Sequence, residues 1–283
     1  MSKRLPDWLR PAAPKAYQLA TMGRRLAASG VNTVCQSARC PHVGECFGSG
    51  NATFMILGDA CTRNCGFCAV RHSVPQSLDP DEPMRVALAA KALGLRYVVI
   101  TSVTRDDLPD GGAGHFAATV SAVKQLLPAA GVEVLVPDFR GDLEALDAAL
   151  VAAPAVFGHN METVHRLYPQ VRPEADYAQS LTVLRAAGER APQMVIKSGF
   201  MVGLGETERE VAELLRDLRD AGVSAVTIGQ YLQPTRDHLP VVDYVPPEAF
   251  VGFEEQARRM GFAYVMSGPL VRSSYHAADL VQP

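Results

Sequence analysis

From residue 53 onward, short apolar runs alternate with longer amphipathic segments. The apolar runs predict strands at 53–58, 97–102, 132–137, 155–159, 194–200 and 225–230. Between and after them, positions with helical spacing predict helices at 82–94, 115–127, 142–152, 177–188, 206–221 and 247–260. Strands apolar on both faces and alternating with helices imply a parallel sheet covered on both sides. Six such units are too few for a closed eight-stranded barrel, so the expected fold is α/β, a partial (β/α)6 TIM-like barrel. Residues 1–52 and 262–283 are read as N- and C-terminal extensions over the barrel mouth, around a barrel domain at 53–261. The first 14 residues are proline-rich; residues 15–29 look helical, with Gly30 as the stop. In parallel α/β folds ligands sit at the carboxyl ends of the strands. Polar residues collect there: Asp59, Thr101, Ser102, Asp138, His159, Asn160, Lys197, Ser198 and Gln230.

Composition excludes more than it identifies. The chain has 283 residues, 48% of them hydrophobic, and a net charge of −3. Neither a nucleic-acid partner nor a membrane is expected, since no basic excess and no apolar run of about 20 residues is present. A start without a signal-type apolar run points to a cytoplasmic protein. The six cysteines are more telling, because all lie between residues 35 and 68. Thiols so crowded in a chain of cytosolic type read as metal ligands rather than a disulfide framework.

Cys61, Cys65 and Cys68 follow the first strand with spacing C-x3-C-x2-C. Three thiolates on one tight loop can hold three corners of a 4Fe–4S cubane and leave one iron open for a small molecule. In radical S-adenosylmethionine (SAM) enzymes that molecule is SAM. Gly66 would let the loop turn tightly, and Phe67 would shield the cluster. A zinc site is the alternative, but zinc takes four ligands, commonly as two pairs. The upstream triplet Cys35, Cys40 and Cys46 is less specific: zinc ligands, a disulfide plus a free thiol, or a second cluster all suit its spacing.

Along almost its full length the chain resembles the lipoyl synthase family. The runs that carry this are PDWLR (6–10), TVC-x4-CP-x3-EC (33–46), the cysteine loop ending CTRNCGFCAV (61–70), VVITSVTRDDLPDGGA (98–113), PDFRGD (137–142), HNMETVHRLYPQVRP (159–173), KSGFMVGLGET (197–207), GQYLQPTRDHLPV (229–241) and SGPLVRSSYHA (267–277). The resemblance implies two 4Fe–4S clusters. Cys61, Cys65 and Cys68 would hold the SAM cluster, and Cys35, Cys40 and Cys46 an auxiliary cluster whose fourth ligand is a serine. That serine is assigned to Ser274, with Ser273 as the second choice. The implied activity is that of a sulfurtransferase. A 5′-deoxyadenosyl radical from SAM removes hydrogen at carbons 6 and 8 of an octanoyl chain, and sulfur comes from the auxiliary cluster. Implied partners are octanoylated lipoyl-carrier domains, those of the glycine cleavage H protein and the 2-oxoacid dehydrogenase E2 component, and an electron donor such as ferredoxin or flavodoxin. A monomer is expected. Gln36, Ser37, His42 and Phe47 depart from the family's usual residues, which bears on the surroundings of the auxiliary cluster and on carrier docking.

Several further residues carry two readings each. Gly111, Gly112 and Ala113 bind the SAM amino group or form an ordinary turn. Asp106, Asp107 and Asp110 contact SAM, orient Arg105 or face solvent. Asn160 and Glu162 meet SAM or cap a helix. Lys197 touches SAM or substrate, or makes a buried ion pair. Gly203 opens a strand-to-helix turn near SAM, since GLGET lacks full dinucleotide-loop spacing. Arg236 and His238 line the mouth or are solvated. Two rivals remain: another sulfur-inserting radical SAM enzyme such as a methylthiotransferase, which would need extra domains, and a zinc- or cluster-binding interaction module, which leaves the six βα units unexplained.

Overall fold

The computed structural model describes residues 5–10, 29–34, 51–275 and 277–280. Cys35, Cys40, Cys46, the departures at 36, 37, 42 and 47, and nearly all of the 15–29 segment lie outside the described residues. In chain order the strands are β1 (Asn32–Thr33), β2 (Asn51–Ile56), β3 (Ala60–Cys61), β4 (Arg71–His72), β5 (Tyr97–Ser102), β6 (Gly131–Leu135), β7 (Val156–Gly158), β8 (Val195–Val202), β9 (Ala225–Gln230) and β10 (Tyr264–Gly268). The α-helices are α1 (Glu82–Ala92), α2 (Ala113–Leu126), α3 (Leu143–Leu150), α4 (Tyr168–Val171), α5 (Tyr177–Arg190), α6 (Glu208–Asp220) and α7 (Pro247–Arg259).

One sheet runs β1-β2-β5-β6-β7-β8-β9-β10. Every pairing from β2 to β10 is parallel, and β1 adds an antiparallel edge. Among the described residues β1 and β10 are not joined, so the barrel they form is open. Alternation along each strand assigns its two faces. Val98 and Ile100 join the large core under the helices, whereas Tyr97 and Val99 turn to the lumen. Helix α6 shows the packing logic: Val211, Leu214, Leu215 and Leu218 are buried at helical spacing, and Thr207 and Glu210 form a capping box at its start.

The predicted strands 97–102 and 225–230 stand as read. The first strand ends earlier, at Ile56, because Leu57 adopts φ +68° and its N–H leaves the sheet for the Glu82 carboxylate at 2.8 Å. A seventh parallel strand, β10, lies beyond the six predicted, inside the segment read as a tail. The chain then crosses the mouth, where Ser273 meets Asn160, and descends the lumen until Ala277 and Ala278 pack on Tyr97 and Val99.

Candidate active site

Cys61 ends β3, and Cys65 and Cys68 follow on the loop that returns through β4. All three are free and half-buried. The loop is pinned from several sides. Gly66 N–H donates to Val171 O at 3.0 Å and Leu239 N–H donates to Gly66 O at 3.0 Å. A side chain at Gly66 would fall 2.9 Å from Leu239 and 3.2 Å from the Gln170 carbonyl, so close approach requires glycine there. Phe67 is packed against the core. His238, read as lining the mouth or solvated, sits with Nε2 2.9 Å from Cys68 O. Thr104 N–H donates to Cys61 Sγ at 3.3 Å. Burial pushes the Cys65 thiol up to about 12, against the pull of the nearby Arg172 cation, and pushes Cys68 up to about 11. As free thiols both stay protonated at neutral pH, so loading iron releases their protons.

Among the described residues no three His, Cys, Asp or Glu side chains converge on a point able to hold a single metal ion. In a cubane each cysteine binds a different iron, and three free cysteines on one loop fit three corners of such a cluster.

Arg63, inside the loop, is buried and makes four bonds: to Asp106 at 2.6 and 2.9 Å and to Asp138 at 2.8 and 2.8 Å. Burial alone would raise the pKa of Asp138; the Arg63 guanidinium outweighs it and holds this carboxyl at about 2. Asp107 instead binds Arg105 through two contacts of 2.8 Å, and Arg105 donates to Leu57 O at 3.2 Å. Asp110 accepts from Gly112 N–H and Gly114 N–H at 2.9 Å each, closing the turn into α2. Gly111, Gly112 and Ala113 therefore form a tight turn beyond the carboxyl end of β5, with φ +59° and +91° at the two glycines, values that glycine adopts freely.

At the end of β7, Asn160 donates to Glu162 at 2.9 Å and to Ser273 Oγ at 2.6 Å. Burial raises the Glu162 pKa, and Arg172 and Asn160 oppose this. Arg172 donates to Asn160 O at 2.9 Å and to Tyr168 Oη at 3.0 Å, and its Nε is buried without a partner among the described residues. His159 Nδ1 lies 2.9 Å from Val136 O; its Nε2 is buried with no partner among the described residues, and burial first, then Arg172, lowers its pKa to about 4. These orphaned polar atoms beside the cysteine loop fit a site that takes a polar, charged guest such as SAM. Gly203 lies in a turn at the end of β8, its N–H and that of Leu204 both directed at the Glu206 carboxylate.

Lys197, read as a SAM or substrate contact with a buried ion pair as the alternative, makes the ion pair. Its Nζ is 2.7 Å from Glu133 Oε1, both side chains are at most 3% exposed, and Tyr97 Oη donates to the other Glu133 oxygen at 2.8 Å. Lys197 pairs with Ala225, the first residue of β9, five residues below Val202. At about 3.3 Å per residue that is about 16 Å from the strand end, at the floor of the barrel. The sequence reading missed Arg63, Thr104, Arg172 and the Glu82–His115 pair (2.8 Å) as parts of the site's frame. Arg63 stood inside the cysteine motif, but spacing says nothing about which distant carboxylates an arginine meets.

A family model described as "Radical SAM superfamily" matches residues 55–218, more than half of the chain. Among curated proteins, the lipoyl synthase of Caldanaerobacter subterraneus subsp. tengcongensis is 56% identical, the match covering 98% of this chain and 97% of that one. That of Methylococcus capsulatus is 56% identical over 97% and 85% of the two chains, and that of Rubrobacter xylanophilus 53% over 97% and 85%. Among solved structures, Streptococcus suis SuiB bound to its precursor peptide SuiA aligns with a TM-score of 0.60 at 12% identity, covering 94% of this chain and 64% of SuiB. Methylornithine synthase (PylB) aligns with a TM-score of 0.51 at 15% identity, covering 97% and 86%. These two show the fold alone. With a three-cysteine loop at the mouth of an open parallel barrel, and full-length identity above one half to several lipoyl synthases, the chain belongs to the lipoyl synthase family of the radical SAM superfamily.

Proposed function

We propose that the protein is a lipoyl synthase, inserting two sulfur atoms at carbons 6 and 8 of an octanoyl group borne on a lysine of a lipoyl-carrier protein. The observation that carries this is near-complete coverage at 53–56% identity to lipoyl synthases, together with Cys61, Cys65 and Cys68 on one pinned loop at the barrel mouth. A 4Fe–4S cluster on that loop, with SAM at its open iron, supplies a carbon radical able to take hydrogen from an unactivated chain. The protein's own residues position and shield. Gly111, Gly112 and Ala113 offer backbone groups at the end of β5. Asn160, Glu162 and Arg172 offer hydrogen-bonding and charged groups at the end of β7, and the Gly203 turn closes the end of β8. Phe67 and the crossing tail keep water from the mouth.

Cys35, Cys40, Cys46 and Ser274 are assigned to the auxiliary cluster, which gives up its sulfur as substrate. Ser273 Oγ is engaged by Asn160, which leaves Ser274 as the hydroxyl for that ligand role. Serine oxygen is a harder donor than thiolate and a weaker one for iron–sulfur clusters, which suits a corner that opens as sulfur leaves. Octanoylated H protein and E2 domains are the expected carriers, ferredoxin or flavodoxin the electron donor, and the working form a cytoplasmic monomer. The test is anaerobic reconstitution to about eight irons, four per cluster, then incubation with SAM, a reductant and an octanoylated carrier, read by mass. The expected product gains two sulfur atoms, and in its disulfide form lacks two hydrogens. A protein that binds two zinc ions and no iron would overturn the reading.

A further inference from the structure

Two short segments are laced together beside the cysteine loop. Thr62 donates to Thr104 O through both its N–H and its Oγ1, each at 3.0 Å. Asp106 N–H donates back to Thr62 Oγ1 at 3.1 Å. Arg63, the next residue, grips Asp106 and Asp138 with its four bonds of 2.6–2.9 Å, and Asp138 is wholly buried at the end of β6. The loop is thereby fixed to the ends of two strands at once. One consequence is chemical. Thr104, held from its carbonyl side by Thr62, points its N–H at Cys61 Sγ, 3.3 Å away.

Hydrogen bonds to cluster sulfurs are among the features that set the potential of an iron–sulfur cluster, because they stabilise the reduced form with its extra negative charge. We propose that Arg63, with Asp106, Asp138 and Thr62, is a positioning group that holds the Thr104 amide on the Cys61 sulfur and so raises the reduction potential of the SAM-binding cluster. This rests on the reading that Cys61, Cys65 and Cys68 hold that cluster. The clamp acts through geometry. One guanidinium faces two carboxylates, so its charge is more than cancelled locally, and among the described residues its hydrogen bonds go to Asp106 and Asp138 and not to a cysteine. Two planar bidentate contacts are a task that lysine, a single rotating ammonium, cannot perform.

The test uses charge-conserving changes in the anaerobically reconstituted full chain. Arg63→Lys keeps the cation but loses the double fork. Thr62→Val keeps the volume but removes the hydroxyl that joins Thr104 to Asp106. Potentiometric titration followed by electron paramagnetic resonance reads the SAM-responsive cluster apart from the auxiliary one. Both variants are expected to shift the SAM cluster to more negative potential, so that less than half is reduced at the wild-type midpoint. The auxiliary cluster stays unmoved. The Thr104 amide should also exchange its hydrogen faster. A wild-type midpoint in an iron-loaded variant refutes the proposal and leaves the clamp a purely structural one. If Arg63→Lys takes up no iron, Thr62→Val still decides. Failure of the cluster reading would look different: in the wild type, addition of SAM would leave the signal unchanged and Cys65→Ala would not abolish it.

Discussion

Replacing Lys197 by Met separates two roles that the sequence left open. In the structure its ammonium is buried against Glu133 at 2.7 Å, and Glu133 also accepts from Tyr97 at 2.8 Å. Removing the cation strands a carboxylate that is 1% exposed. Breaking a buried pair from one side costs about 3–5 kcal/mol. For 283 residues at roughly 2.1 cal/mol/K each, the unfolding entropy is about 0.6 kcal/mol/K, so Tm should fall by roughly 5–8 °C. Denaturant unfolding of the chain gives the free energy. Lys197→Met combined with Glu133→Leu should recover most of the loss, because neither charge is then left alone. Adding Tyr97→Phe should recover more, since the double variant leaves that hydroxyl without its acceptor. SAM affinity, measured by equilibrium dialysis on loaded protein, should be unchanged in the stabilised double variant. A Lys197→Met protein of wild-type stability with weakened SAM binding would refute the assignment and return this lysine to the cofactor site.

Three other outcomes follow from the same geometry. His159 is held neutral down to about pH 4, against 6.5 for a free histidine. The unfolded chain binds this proton first, so stability falls as pH drops from about 6.5 to 4, by about 3 kcal/mol in all; His159→Asn, which keeps a donor for Val136 O, should flatten that part of a stability–pH curve. Asp138 behaves at lower pH: its folded value of about 2 means a contribution of about 2–3 kcal/mol, present above pH 4 and lost as pH falls towards 2, and Asp138→Asn should remove that dependence in acid unfolding. Gly112→Ala would place Cβ 2.3 Å from Leu57 Cδ1 at φ +91°, so a loss of about 1–3 kcal/mol is expected in denaturant unfolding, with less iron retained by the loop.

The strands were legible where a short run is apolar on both its helix-packed and its lumen faces, as in β5 and β9. β10 was missed for a physical reason. Its apolar run, 262–266, follows α7 closely and no α-helix comes after it among the described residues, so it does not open another strand–helix unit; its parallel pairing with β9 is what makes it a strand. The three-cysteine loop was visible because covalent spacing is itself the signal. What holds it was not. Arg63 reaches Asp106 and Asp138, 43 and 75 residues away, and Arg172 reaches Cys65 only once β7 and α4 are packed. Lys197 was misleading because it lies in a strand whose carboxyl end does face the mouth. Which of its eight residues reaches that end is settled by register, not by composition.

The two ends of the barrel divide the work between them. Of the five non-glycine residues with positive φ among the described residues, Leu57, Phe139, Arg140 and Glu162 follow the carboxyl ends of β2, β6 and β7, and Ala153 lies at the other end. Such conformations cost on the order of 1–3 kcal/mol each and persist only where their surroundings over-determine them. Those surroundings can be named. Leu57 is held by Glu82 on its N–H and by Arg105 on its carbonyl. The 139–140 turn is held by Asp138, which accepts from Arg140 N–H at 3.0 Å, and by Phe139 meeting Phe116 edge to face. Glu162 is held by backbone bonds to Gly199 and Met201. The floor carries one such residue, Ala153, against four at the mouth. There Lys197, Glu133 and Tyr97 close a buried network, and Ala277 seals it from the lumen side. A stiff floor fixes the strands, and fixed strands allow the mouth to hold bent backbone where charged and sulfur groups meet. The clamp on Cys61 depends on this arrangement, since a loop tied to two strand ends keeps its geometry only as well as those strands keep theirs.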